Sequence, residues 1–548
     1  MTNAKREPTP PAAAALGEHV DAVIVGAGAA GSFWAERLAH AGKSVVVLEA
    51  GPPWQLSDLV SSQLWARRLK WGAPAVLRGG THPFGHNMSN GRGFGGAALH
   101  HYAGWPRLHP EDFRTRSLYG RALDWPIDYD ELRPWYDRIQ AEMVLSGDAR
   151  AEVWRPPGAP YPQPPLRTFR QGEVITRGFT RLGMRVAPAP LAILSQPVPG
   201  RMACLYDGWC DAGCPTGALA NPLVTHIPRA RAAGAHFVPH ASVARILAGP
   251  QLHAEGVVWH DALGVEHAQR ADLVVLAAAT AQNVRLLLAS ANEHFPRGVA
   301  NGNGLVGTGF SCHTIASAYG VFAEPLDNFL GVTSGQLISQ ESYGKQARGK
   351  EAAFGSYQWA IAPGLKPNDL LGIATTRPEL FGRALVEFLE RDGPRIGTLS
   401  AVCETLPDPA RRIELASERD AHGVPLVRVV NQLDRDALGL YEHASSEGRA
   451  VLAAAGASDT WNGGMAMTHA LGGTIMGRDP ATSVCDSYGR AHELSNLFIA
   501  GGSLFPTAGG GGPTFTIYAL ADRATHHVLD HWSQYAAPGR SARSRNHA

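Results

Sequence analysis

Two features of the chain are built from residue types that do chemistry: three thiols in one short run, and a glycine turn that ends beside an acid. The run Cys204-Leu-Tyr-Asp-Gly-Trp-Cys210-Asp-Ala-Gly-Cys214-Pro spaces its thiols five and three residues apart, with Gly208 and Gly213 between them. A single loop of this kind can bring its thiolates to one centre, and cysteine followed by proline is common at iron–sulfur ligands. Three thiolates match the needs of a three-iron cluster. Tetrahedral zinc needs a fourth ligand, for which only Asp211 or His226 is near. Free or structural thiols and a disulfide are the remaining readings. Cys312, Cys403 and Cys485 are dispersed and read as small core residues.

The glycine turn lies upstream. Residues 20–25 (VDAVIV) form an apolar, β-branched run of strand length that leads into Gly26-Ala-Gly28-Ala29-Ala30-Gly31. A helical stretch follows over 32–41. A second strand over 44–48 (SVVVL) then ends at Glu49 and Ala50, the acid lying 21 positions after Gly28. This is the order of a dinucleotide-binding βαβ unit. Gly26 permits the tight turn, Gly28 lets backbone approach a pyrophosphate, and Gly31 lets the helix lie against the strand. The helix N-terminus offers free N–H groups and partial positive charge, and Glu49 can accept from ribose hydroxyls.

The bulk numbers exclude several alternatives. The 548 residues give room for three to four domains of ordinary size. With 49 basic and 48 acidic residues the net charge is +1, so nothing pulls the chain toward nucleic acid or anionic lipid. No apolar run approaches the roughly 20 residues of a membrane span. The 62 glycines and 39 prolines point to many loops and close backbone approaches, not a helical bundle. Residues 1–18 read as a flexible leader without a secretory hydrophobic core, and 536–548 as a polar tail.

The C-terminal segment narrows the dinucleotide. It reads His469-Ala-Leu-Gly-Gly-Thr-Ile-Met-Gly477, then SVCDSYGRAHELSNLFIAGGSLFPTAGGGGPTFTIYALADR. This resembles the closing motif of the glucose–methanol–choline (GMC) oxidoreductase family. Further landmarks follow the family order: GRGFGGAALHHYAG (91–104), DWPIDYDELRPWY (124–136), ADLVVLAAATAQNVRLLLAS (271–290) and GNGLVG (302–307). The residues themselves agree. Residues 496–500 read as a short buried strand ending at Gly501-Gly502, and Pro513-Thr514 open a helix to about residue 531, proline sitting in its favoured first turn.

The resemblance implies FAD as cofactor and an α/β (α+β) architecture, a Rossmann-like FAD-binding domain with a discontinuous substrate domain on an antiparallel sheet. The FAD-binding domain would comprise 19–115, 200–312 and 464–535, with Val243 among the strands completing its sheet; 116–199 and 313–463 would form the substrate domain. Arg92, Gly95, Gly96 and Ala97 would lie along the flavin, and the Pro513 helix would face its N1–C2=O edge. His100 falls where some relatives attach FAD covalently; packing near the flavin without a bond is the other reading. His469 would be the base that takes the hydroxyl proton as hydride leaves carbon. The family usually pairs this base with Asn or His about forty residues on, and here that position is Gly512, which has no side chain.

The thiol spacing resembles that in catalytic subunits of FAD-dependent sugar dehydrogenases that carry a 3Fe-4S cluster. On that likeness the chain is a dehydrogenase of a sugar, polyol or related alcohol. It would pass electrons to an external acceptor such as a cytochrome and be aided by a small chaperone-like subunit. An oxidase making hydrogen peroxide and a non-redox FAD lyase are the alternatives. Two homes stay open, the cytoplasm and, by co-export with a partner, the periplasm.

Overall fold

The computed structural model describes residues 17–71, 76–350 and 352–536. Residues 1–16 of the expected leader and 537–548 of the expected tail lie outside them. The N-terminal unit is strand β1 (His19–Val25), helix α1 (Ala29–His40) and strand β2 (Val45–Leu48). Helices α2 (Tyr129–Glu142) and α3 (Arg170–Arg181) and the two-residue strand β3 (Ala187–Pro188) follow. Next come β4 (His236–Val238), β5 (Ser242–Ala248), β6 (Ala254–His260) and β7 (Glu266–Leu276). After them run β8 (Ser311–Val321), β9 (Leu337–Ser339), β10 (Tyr357–Ile361) and β11 (Ile396–Glu404). Helix α4 (Arg435–Ala455), strands β12 (Asp459–Asn462), β13 (Ala466–Leu471) and β14 (Leu497–Ile499), and helix α5 (Thr514–Asp530) complete the frame.

One seven-stranded sheet runs β4-β2-β1-β7-β6-β5, with β14 added beside β7. β1 pairs in parallel with β2 and with β7, whereas β5, β6 and β7 form an antiparallel meander. The long β7 therefore serves both halves: its first residues pair with β6, and Val274–Leu276 pair in parallel with β14. The central strands β1 and β2 are apolar on both faces, as strands covered on both sides must be. Helix α5 packs on α1 and α2, and buried Asp522 ties them together by ion pairs to Arg37 and Arg138.

The second seven-stranded sheet is antiparallel and runs β12-β8-β11-β10-β9-β3, with β13 also on β8. Its strands alternate. Ala316, Ala318, Leu399, Ala401, Cys403, Tyr357, Trp359 and Ile361 share one buried cluster with residues of α3 and α4. By the period of two, His313 and Ile315, Val402 and Glu404, and Ser356 and Gln358 share the other face. β13 enters this sheet although the C-terminal range begun at 464 was expected on the FAD side, so the two sheets meet at the segment that carries His469. Among the described residues no helix is long and apolar enough to cross a membrane.

Candidate active site

The glycine turn has the geometry that the spacing predicts. Gly26 has φ +100°, and a Cβ on it would sit 2.6 Å from the Ala277 carbonyl oxygen. A Cβ on Gly31 would lie 1.9 Å from the Gly26 oxygen, so helix and strand touch backbone to backbone. Gly28 differs: the nearest atom to its added Cβ is the Gly96 Cα at 3.9 Å. Gly28 is also the N-cap of α1 and supplies no side-chain cap, so the first N–H groups, those of Ala29, Ala30 and Gly31, are without a partner inside the helix. Gly501, at φ +104°, is likewise open, with nothing within 4 Å of its added Cβ, while Gly502 packs on Leu471.

Glu49 is buried and accepts backbone N–H groups from Ala27, Gly51 and Gly93. Burial pushes its carboxyl up, against those three bonds. A carboxylate has about four acceptor sites, so capacity for a ribose hydroxyl is left. Ala50 accepts from the exposed Arg92 side chain, and the chain before Val243 bonds back to Gly51 and Glu49 through the N–H groups of His240 and Ala241. Gly95 (φ +94°) caps a short 3₁₀ turn, Gly96–Leu99, that begins with Gly96 (φ +52°) and Ala97 and ends at His100. His100 and His101 have buried Nε2 atoms with no partner, and burial lowers His100 to about 3 and His101 to about 4. Pro513 caps α5 without a side-chain bond, leaving Thr514 at an open positive helix end. Uncapped helix ends, open glycines and orphaned imidazole nitrogens fit a bound dinucleotide.

His469 sits on β13 at φ +57°, in the register shift between Thr468 and Leu471. Such a bulge re-aims a side chain, and left-handed backbone at a non-glycine is strain held by its surroundings. Its Nδ1 lies 3.1 Å from Nδ1 of fully buried His313 on β8, the rings edge to face. The far side of His313 fixes the protons: its Nε2 donates to the Gly509 carbonyl at 2.8 Å. His313 Nδ1 must then accept, His469 Nδ1–H must donate, and His469 Nε2 keeps its lone pair. No described residue bonds that Nε2. Burial and the neighbouring imidazole hold His469 well below the usual histidine range, and burial brings His313 to about 4. The pair is therefore neutral at pH 7, as a base must be.

Gly509 is held from beneath. Its N–H donates to Glu404 Oε1, and Glu404 is the cross-strand partner of His313. Lys345 bridges Glu404 and Asp112, and Ser356 and Tyr343 add bonds to the two carboxylates. All five side chains are buried. The run Gly509–Gly512 is bare because it threads this network: added Cβ atoms would come within about 3 Å of Tyr343 or Asp112, Ser356 and Pro106 in turn. At Gly512 a Cβ would lie 3.1 Å from the Gly104 carbonyl oxygen. His313, Glu404 and Lys345 carry no sequence motif; the alternation along 311–321 hides an inward histidine among other inward residues.

The thiols of Cys204, Cys210 and Cys214 share one loop, with Gly208, Gly213 and Cys214 itself in left-handed conformations. All are free, as are the three dispersed cysteines. Each sulfur accepts a backbone N–H: Tyr206 to Cys204 at 3.3 Å, Thr333 to Cys210 at 3.5 Å and Leu219 to Cys214 at 3.4 Å. Burial raises Cys204 to about 12 and pushes Cys210 up as well. The zinc reading lacks its fourth ligand. His226 is bonded to Glu36, and Asp211 is paired with Lys70 and Lys366. Among the described residues the thiols do not join any set of three ligand atoms within 4.8 Å of one another, the spacing a single ion needs.

Residues 20–315 match the N-terminal pattern of the GMC oxidoreductases, and residues 407–521 match the C-terminal one. The chain is a GMC oxidoreductase. It is 30% identical to 2-methyl-1,2-propanediol dehydrogenase of Mycolicibacterium austroafricanum, over 94% of this chain and 96% of that protein. It is 29% identical to the fructose dehydrogenase large subunit of Gluconobacter japonicus, over 94% and 98%. The fold matches pyridoxine 4-oxidase from Mesorbium loti, with TM-score 0.64, 16% identity and coverage of 93% and 99%. Membership makes this GMC oxidoreductase an FAD-dependent enzyme acting on CH–OH donors, with the mixed α/β architecture its sequence implied.

Proposed function

We propose that this GMC oxidoreductase is a dehydrogenase of a sugar, polyol or related alcohol, with His469 as its base. The observation that carries the reading is the chain His469–His313–Gly509, which leaves one unprotonated nitrogen at the meeting of the two sheets. FAD, when bound along the open glycines at 28 and 501, supplies the hydride acceptor. His469 Nε2 takes the hydroxyl proton, His313 keeps its lone pair in place, and the Glu404–Lys345–Asp112 network holds Gly509. In this reading His100 is held beside the flavin.

The thiols of Cys204, Cys210 and Cys214 are proposed to hold a 3Fe-4S cluster. Three N–H···S bonds suit thiolates, and each thiolate of a cluster takes a different iron, so they stand farther apart than ligands of one ion. Such a cluster supplies single-electron relay between a two-electron flavin and an external acceptor. The name of the fructose dehydrogenase relative, a large subunit, supports a partner subunit here too. Anaerobic titration of the holoenzyme with sugars and polyols tests the whole reading. Flavin bleaching with iron at three per chain and an EPR signal is expected. Bleaching with no iron, and peroxide on admitting air, would instead make it an oxidase; flavin that stays oxidised would leave the lyase.

A further inference from the structure

The glycine at 512 leaves the base without the neighbour that would hold the substrate oxygen, yet a side chain of the antiparallel sheet reaches the adjacent Gly511. Gln358 lies on β10, almost fully buried, on the face it shares with His313. A Cβ built on Gly511 would fall 3.7 Å from both Nε2 and Oε1 of Gln358, so the amide occupies the volume a side chain from the glycine run would enter. Its orientation is set by a directed chain. The His109 ring donates through Nε2 to Gln340 Oε1 at 3.2 Å, and Gln340 Nε2 donates to Gln358 Oε1 at 2.9 Å. His109 is itself stacked on Tyr343, the ring that bonds Asp112, with centroids 3.9 Å apart.

The direction matters. Each amide oxygen in the chain is consumed, so what emerges at its end is a donor, the Gln358 Nε2–H group, which no described residue accepts. That N–H is free to donate to an oxygen brought into the site. Gln358 is level with Ile315 two strands away and two residues off His313, about 12 Å from it at the usual spacings, a gap that a small alcohol between two long side chains spans. A donor, not an acceptor, is what a hydroxyl losing its proton needs, because charge grows on oxygen as the base acts.

We propose that Gln358, oriented by Gln340 and His109, donates the hydrogen bond to the substrate oxygen that the glycine run cannot supply. This rests on the reading of His469 as base. Gln358 contacts substrate; Gln340 and His109 are positioning residues.

The test is anaerobic stopped-flow reduction of the FAD-loaded enzyme by its best alcohol, comparing wild type with Gln358→Met, Gln358→Glu and His469→Ala. Gln358→Met conserves volume and removes the donor; Gln358→Glu keeps the acceptor for Gln340 and removes the donor. The proposal expects both to load FAD and melt like wild type. The reduction rate constant divided by the apparent Kd should fall about tenfold in each. Gln340→Met should fall in the same direction by less. Wild-type reduction by either Gln358 variant overturns the proposal, as does failure of both to bind FAD, which would make the residue structural. His469→Ala separates the two layers: if it is inactive while the Gln358 variants are unaffected, only this inference falls. If it too reduces flavin normally, the base assignment falls.

Discussion

At the scale of single residues the site depends on a proton order imposed from the buried side. The Gly509 carbonyl fixes His313, and His313 fixes His469, so the nitrogen that keeps its lone pair is chosen by a backbone atom two imidazoles away. The electrostatics follow the same logic. Burial disfavours the charged form of both rings, so each stays neutral far below an ordinary histidine, whose pKa is about 6.5. The working form of a base is the neutral one, so a depressed value extends activity to the acid side. The kcat/KM profile is expected to stay level as pH falls from 8 through 6.5 and to decline only well below that. An acid limb centred near 6.5–7 would show a solvated base instead. Replacing His313 with Asn keeps a polar side chain but loses the imidazole relay, and a loss of about 10-fold in kcat with FAD retained is expected from kinetics.

At the scale of elements the glycines divide into two kinds with separable effects. Gly31 is where α1 meets the strand, and a methyl there would meet the Gly26 oxygen at 1.9 Å; at Gly28 the nearest atom to a methyl is the Gly96 Cα at 3.9 Å. Gly31→Ala is expected to cost about 1–3 kcal/mol or more of stability, visible in thermal melts of the apoprotein. Gly28→Ala is expected to leave the apoprotein melt near wild type and to weaken FAD retention, read from the flavin-to-protein absorbance ratio. The βαβ unit was legible because each of its residues acts locally, in a turn, a cap or a close approach. Helix α1 only starts earlier than expected, at Ala29, since the turn itself supplies its first residues. The strand at 497–499 and the helix after Pro513 were legible for the same local reasons. His313, Glu404 and Gln358 were not. Their alignment is a matter of strand register between segments 40–90 residues apart, and no local pattern encodes a register. The bulge that turns His469 toward His313 is equally silent in sequence.

At the scale of the whole molecule two sheets with different rules meet at one line. The mostly parallel one ends its strands at glycine turns, leaving room for a dinucleotide. The antiparallel one presents an apolar face to α3 and α4 and a polar face to the site. The cysteine loop touches this second sheet region through Thr333, whose N–H reaches Cys210 and whose hydroxyl bonds Gly208. Cys210→Ala is expected to remove the iron and slow transfer to a one-electron acceptor, while flavin bleaching by substrate persists. Bleaching lost together with iron would place the thiols in the structure of the site and not in the electron path. The most direct test of the central claim is anaerobic flavin reduction in FAD-loaded His469→Ala. A loss of about 10²–10⁴-fold with full FAD content is what the neutral, oriented base requires; reduction at the wild-type rate would contradict it.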